Sequence, residues 1–139
     1  MNILKLELTH FGKFHLKTIT FTSGLNIVYG KNEAGKSTIH AFVRSMLFGI
    51  PDTEEGNERY SHYLPWETPH DFCGRMWIKK DDKVYRIERN FLRPQPTVRI
   101  FDDETDESLQ PAKQHLRQIL SGLTETSYLN TICIEQLKS

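Results

Sequence analysis

Cysteine is nearly absent. Cys73 and Cys133 are the 2 in 139 residues, too few for a disulfide framework and without the spacing of a zinc site. Free thiols in a reducing cytoplasm are the expectation. No apolar run approaches the roughly twenty residues of a membrane span. The first residues, Met1-Asn2-Ile3-Leu4-Lys5, lack the charged-then-apolar layout of a secretory leader. Net charge is also lacking: 18 basic residues balance 18 acidic ones, so the chain as a whole is not a polyelectrolyte binder. There is no internal repeat, no low-complexity segment, and no Asn-Lys-x-Asp for a guanine base. What remains is one soluble domain by length, long enough to bury about two-thirds of its unfolded surface.

The sequence does hold one sharp motif. Gly30-Lys31-Asn32-Glu33-Ala34-Gly35-Lys36-Ser37-Thr38 matches G-x-x-x-x-G-K-[ST], the phosphate-binding P-loop. Its context fits. Leu25-Asn26-Ile27-Val28-Tyr29 reads as a short buried strand entering the loop. Ile39, Phe42, Val43, Met46 and Leu47 then recur on one helical face. Gly49 and Pro51 stop that helix. Gly30 and Gly35 let the backbone curl, aiming successive N–H groups at one anion in front of the positive end of the helix dipole. Lys36 is a mobile counter-charge for β and γ phosphates. The Ser37 hydroxyl is a ligand for Mg²⁺.

Alternation of Leu4, Leu6 and Leu8 with Lys5 and Glu7 predicts a half-buried strand over 2–9. A second strand is expected over 16–21, after a turn at 10–14. Residues 51–70 read as a long loop, with Tyr60, Tyr63 and Trp66 pinning it to the body. A β-hairpin follows, over 72–78 and 84–91, then a strand over 97–101. Ser108 is a candidate N-cap, and Pro111 suits a helix start. That helix would bury Ala112, Leu116, Ile119 and Leu120 and end at Gly122. A helical turn near Ser127 precedes a last strand over 131–134. The fold class expected is α/β, with parallel core strands around the P-loop strand and an added antiparallel β layer.

Charge is unevenly spread. Between Arg75 and Arg99 stand eight basic residues and three acidic ones, and Asp102, Asp103, Glu104, Asp106 and Glu107 follow. A basic sheet face is one route to nucleic acid, but a solvated strand face is the favoured reading. His62, His70 and Cys73 make only a weak zinc pattern.

Three stretches together resemble the N-terminal ATPase lobe of SMC-like and SbcC-type DNA-repair ATPases, which carry ABC-type heads of the P-loop NTPase superfamily. They are Phe11-Gly12-Lys13-Phe14, the stretch from Gly24 to Thr38, and Tyr128-Leu129-Asn130-Thr131-Ile132-Cys133-Ile134-Glu135-Gln136, which is similar to the family's Q-loop. The Asn-Glu-Ala-Gly-Lys-Ser-Thr form, with Tyr63-Leu64-Pro65-Trp66 and Tyr85-Arg86-Ile87-Glu88-Arg89, is similar to a YhaN-like branch. The resemblance covers the whole chain. Many relatives have Gly where Glu33 stands, and some have a basic residue at Gly12, beside which this chain has Lys13.

The resemblance implies ATP and Mg²⁺ as cofactors, with Gln136 beside Ser37 at the metal and γ-phosphate. It implies that residues 1–139 form a single N-terminal ATP-binding lobe, truncated before a coiled-coil arm. Hydrolysis would need a C-terminal lobe of the same protein and a second head. A metallophosphoesterase-type nuclease and DNA are further implied partners, in the cytoplasm. Two decoys for the missing lobe are better read locally. Leu120-Ser121-Gly122-Leu123 suits a helix C-terminus. Val98-Arg99-Ile100-Phe101-Asp102-Asp103 suits an edge strand running into an acidic turn, since a buried central strand would want an apolar residue at Arg99. A self-sufficient P-loop kinase and a noncatalytic nucleotide-binding module remain open alternatives.

Overall fold

The computed structural model describes residues 1–21 and 33–127. The elements run β1 (Asn2–Phe11), β2 (Phe14–Thr20), α1 (Glu33–Phe48), α2 (Glu54–Tyr63), β3 (Cys73–Lys80), β4 (Lys83–Asn90), β5 (Thr97–Asp102), β6 (Glu107–Ser108) and α3 (Ala112–Leu120). The strands form one sheet in the order β2-β1-β3-β4-β5-β6.

Every neighbouring pair is antiparallel. The α/β class holds, but the expected parallel core is not present among the described residues. The reason lies in the connections. Phe11 pairs with Phe14 and Lys80 with Lys83, so each hairpin turns on two residues, and such short links allow only antiparallel neighbours. Asp81 and Asp82 carry the positive φ values, 51° and 66°, of a turn matched to strand twist. The strands expected over 25–29 and 131–134 lie outside the described residues.

One sheet face is apolar. Ile3, Leu6, Leu8 and Phe11 from β1, Met76 and Ile78 from β3, Ile87 from β4 and Ile100 from β5 are buried there. The register aligns them: Leu6 opposes Met76, Met76 opposes Ile87, and Ile87 opposes Ile100. Leu4, expected among the buried set, is only half-buried while Ile3 is buried. An irregularity between Ile3 and Lys5 shifts the alternation by one residue, as a bulge does.

Helix α1 lies across this face. Ile39, Phe42, Val43, Met46 and Leu47 are all buried, as the 3.6-residue period requires. Phe42 meets Phe11 edge-on at 5.1 Å, and Phe11 also packs with Phe72 and Phe91. Helix α3 buries Leu116 and Ile119. It begins after Pro111, whose φ of −72° already suits a helix, with no side-chain cap. Ser108, the expected cap, instead closes the sheet in β6. At its other end Ser121 and Gly122 adopt positive φ, so the Leu-Ser-Gly-Leu stretch is a helix terminus.

The long loop expected over 51–70 contains a helix. Thr53 caps α2 by accepting from the Gly56 N–H at 3.0 Å, and Glu54 and Glu55 occupy the first turn, where the dipole favours acids. Its only buried residues are Gly56 and Arg59, which is why no apolar period announced it. Tyr60 and Tyr63 do pack on the core. Trp66 does not: it is 81% exposed.

Close approach of α1 depends on Gly74. A Cβ there would stand 2.3 Å from Phe42 Cε1 and 3.0 Å from the Glu7 carbonyl oxygen. Gly74→Ala should therefore destabilise the fold by about 1–3 kcal/mol, read as a lower urea midpoint at unchanged slope. Phe42→Leu in the same chain should recover part of the loss. An unchanged midpoint for Gly74→Ala would show that α1 does not sit this close.

Candidate nucleotide site

Helix α1 opens at Glu33, inside the P-loop motif, and its apolar stripe fixes where that opening points. Gly30, Lys31, Asn32 and Gln136 lie outside the described residues. Of Glu33, Ala34, Gly35 and Lys36, only the helical backbone is described. Ser37 is exposed and Thr38 half-buried.

Three elements converge on this end of α1. The Tyr63 hydroxyl, at the end of α2, donates to the Ser37 carbonyl at 3.4 Å. Burial raises the Tyr63 pKa, so the phenol keeps its proton and acts as the donor. The Gly12 N–H, in the β1–β2 turn, donates to the Tyr63 carbonyl at 2.7 Å. Gly12 has a φ of +60°, and a Cβ on it would lie 3.2 Å from the Tyr63 ring and 3.7 Å from Thr38 Cγ2. The Tyr63 ring stacks on Phe11 at 5.1 Å. Thus the first turns of α1 are braced by α2 and by the Phe11-Gly12-Lys13-Phe14 turn. Gly12, Ser37 and the anchoring of the 51–70 segment by Tyr63 were expected from the sequence; the bond from Tyr63 to the Ser37 carbonyl was not. A Thr followed by two Glu, with no apolar run, was the signal for α2.

Beside this turn opens a cleft of about 560 Å³ between Gly12, Lys13 and residues 65–68. His10 and His15 face each other across β1 and β2 with their Nδ1 atoms 3.0 Å apart, so one imidazole donates to the other.

The other end of α1 is capped from outside. The last turn contains no basic residue, yet Arg89 of β4 donates from Nε to the Met46 carbonyl at 2.7 Å and from Nη2 to the Leu47 carbonyl at 3.4 Å. These are carbonyls that a helix end leaves without partners, at the negative end of its dipole. Burial pushes the Arg89 guanidinium down to about 10, still far above neutral pH, so the cap remains cationic. A cavity of about 460 Å³ lies here, between α1, α3 and the ends of β4 and β5, far from the motif.

The basic run between Arg75 and Arg99 is largely neutralised within the sheet. Arg75 lies 2.8 Å from Glu7, and Arg99 3.1 Å from Glu88. Arg86 reaches Glu88, Asp103 and Asp106 at 2.8, 3.0 and 2.6 Å. Burial works against the Arg86 charge, but those three hydrogen bonds outweigh it and raise its pKa. Lys80 donates to the Ile119 carbonyl at 2.7 Å. Val98 to Asp102 lie in β5 and Asp103 in the turn after it; β5 is not the edge strand expected, because after that turn the chain doubles back and the two-residue β6 pairs on its outer side. Trp77 donates to Asp103 at 3.2 Å, so this carboxylate is committed to the sheet. Burial raises the Cys73 pKa and keeps it a thiol, the unreactive form. Among the described residues no group of three or more metal-ligating side chains comes together, and no helix is long and apolar enough to cross a membrane.

Comparison with known proteins gives the same direction. The family model described as "AAA domain" matches residues 1–138. The uncharacterized protein YhaN of Bacillus subtilis (strain 168) is 43% identical over 56 residues, which cover 40% of this chain and 6% of that protein. The DNA double-strand break repair Rad50 ATPase of Thermococcus kodakarensis is 26% identical over 146 residues, covering 98% of this chain and 15% of that protein. The chain thus spans 15% or less of the length of these relatives. With a helix opening inside a phosphate-loop motif and a family match from residue 1 to 138, the chain belongs to the AAA-domain family, as a region similar to the N-terminal part of SMC- and SbcC-like ATPases.

Proposed function

We propose that this chain is the N-terminal ATP- and Mg²⁺-binding lobe of an SMC- or SbcC-like ATPase acting in DNA repair or DNA end processing in the cytoplasm. The observation that carries this reading is that residues 33–38 of the motif are helical and lead into α1, with the turn at Ser37 braced by Tyr63 and Gly12. The residues fit the nucleotide and its metal. Ser37 stands exposed in the second turn of α1, just past a helix start, where backbone N–H groups without intrahelical partners favour an anion. Bound Mg²⁺ would neutralise part of the phosphate charge. In this reading Gly30, Lys31, Asn32, Glu33, Ala34 and Gly35 wrap the phosphates with backbone N–H groups. Lys36 supplies a cation to the β and γ phosphates, and Thr38 continues the helix behind them. Ser37 and Gln136 are the protein's oxygen ligands to the metal.

The Rad50 ATPase similarity supports residues 1–139 as one lobe of a head that is completed by a C-terminal lobe of the same protein and by a second head. A coiled-coil arm would follow the lobe. DNA and a metallophosphoesterase-type nuclease are the partners this reading brings with it.

Three measurements test it. Titration with a fluorescent ATP analogue should show Lys36→Ala weakening binding about tenfold or more, about 1.4 kcal/mol. Equal affinity would remove the nucleotide assignment. In the complete protein, Gln136→Ala should lower kcat while nucleotide Kd stays within a few fold. Equal losses in both would make Gln136 structural. The isolated chain should release phosphate from ATP only negligibly. Phosphoryl transfer needs charge neutralisation and an oriented water. Asp103 is tied up with Trp77 and Arg86, and Asp102 accepts from the Glu104 and Thr105 N–H groups in its own turn. Lacking such groups costs about a thousandfold in rate or more. Lys36-dependent turnover of about 1 per second, within the ordinary enzyme range, would favour a self-sufficient P-loop enzyme instead.

A further inference from the structure

Four charged side chains meet where α1, α2 and the 124–127 turn come together. Arg44 of α1 places Nη2 3.0 Å from Glu55 Oε1, and its Nε contacts the Glu125 carboxylate. Arg59 of α2 shares both carboxylates without hydrogen-bonding either. Its Nε lies 3.8 Å from Glu55, and its Nη1 lies 3.9 Å from Glu125, beyond hydrogen-bond reach. Its Nη2 donates to the Gly49 carbonyl at 3.3 Å. The Arg59 side chain is only 4% exposed, and its Nε and Nη1 are buried without hydrogen-bond partners. Burial foremost, and then Arg44, lower the Arg59 pKa, against the pull of Glu55 and Glu125. An arginine nevertheless keeps its charge.

Two cations therefore compete for two carboxylates, and Arg44 holds both. A buried guanidinium with open donors is costly, so a nearby arrangement in which Arg59 gains Glu125 is available. It lies within about an ångström of the observed one, the gap between 3.9 Å and a normal hydrogen bond. The lever is α1 itself. Ser37 and Arg44 are two turns apart on one face of a single helix, so a shift at the motif end moves Arg44. Helix α2 touches α1 at both ends, through Tyr63 on Ser37 and Glu55 on Arg44. From the 124–127 turn the chain runs on toward Gln136.

We propose that Arg44 and Arg59 are positioning residues that hand Glu125 from one to the other when phosphates occupy residues 30–38, coupling that site to the 124–127 turn. This rests on the nucleotide reading above. Amide hydrogen exchange on the 139-residue chain, with and without saturating Mg²⁺ and ATP, tests it. ATP should slow exchange at Glu125, Thr126 and Ser127 by about tenfold. Arg44→Gln should cut that response to about twofold or less, with the ATP Kd within about threefold of the parent. Glu125→Gln should act likewise from the other side, and its partial exposure makes it the milder change should Arg44→Gln unfold the chain. Glu125→Asp, which keeps the charge, should restore part of the response. A merely structural cluster would alter overall stability and leave the ratio between ATP-bound and free exchange intact. If the parent binds ATP and the turn exchanges equally with and without it, or if Glu125→Gln responds in full, the coupling is overturned. If the parent fails to bind ATP, or Lys36→Ala binds it as well, the nucleotide reading falls and the coupling with it.

Discussion

Phe42 stands edge-on to Phe11 and directly over Gly74, and this three-way contact sets how deep α1 sits on the sheet. The rest of the arrangement depends on that depth. It brings Ile39, Val43, Met46 and Leu47 into the core, each worth about 2 kcal/mol of burial against a total stability on the order of 5–15 kcal/mol. It aims the opening of α1 at the β1–β2 turn. It leaves the closing end of α1 beside β4, where Arg89 reaches its carbonyls. One helix is thus held in azimuth by its apolar stripe, at its start by Tyr63, and at its end by a cation from another element.

Much of this was legible because two periods are hard to counterfeit. The period of 3.6 located α1, and the period of 2 located most of the sheet. What failed had physical causes. Strand direction is not written in alternation: two-residue turns dictate the antiparallel hairpins, while the strand over 25–29, around which a parallel core was expected, lies outside the described residues. Helix α2 buries an arginine and a glycine, so a search for apolar recurrence passes over it; only its cap and first-turn acids spoke for it. Leu4 lost its place to Ile3 through one irregular pairing, which alternation cannot foresee. At the site, the sequence supplied the motif and Gly12. It could not supply the Tyr63–Ser37 bond or the Arg44–Glu125 pair, because these are contacts between elements distant along the chain.

The basic residues of β3 to β5 show how density along a sequence misleads about charge in space. On the outer sheet face Lys5 lies over Trp77 at 4.0 Å, Arg86 over Phe101 at 4.4 Å, and Arg75 and Arg99 bridge to acids on neighbouring strands. The register explains the neutrality: Arg75 opposes Glu88, and Glu88 opposes Arg99, so the Glu88 carboxylate sits between two guanidiniums. Arg89, one residue from Glu88, points to the opposite face and serves a helix end. The same residue type thus does three different jobs within fifteen or so positions, set by strand parity and not by local composition.

Helix α2 raises the question of why a polar helix lies over a phosphate-loop helix. Stability alone does not account for it. An apolar side chain of similar volume at Arg59 would avoid burying a charge and two donors without hydrogen bonds, and α2 would still be capped by Thr53 and anchored by Tyr60 and Tyr63. What an apolar residue could not do is attract Glu55 and Glu125 from a fixed point while Arg44 holds them from a helix that opens in the motif. Apolar packing favours one seating, whereas two guanidiniums facing two carboxylates allow more than one pairing of similar energy. The cluster therefore sits where discrimination between arrangements, rather than stability, is what a charge contributes.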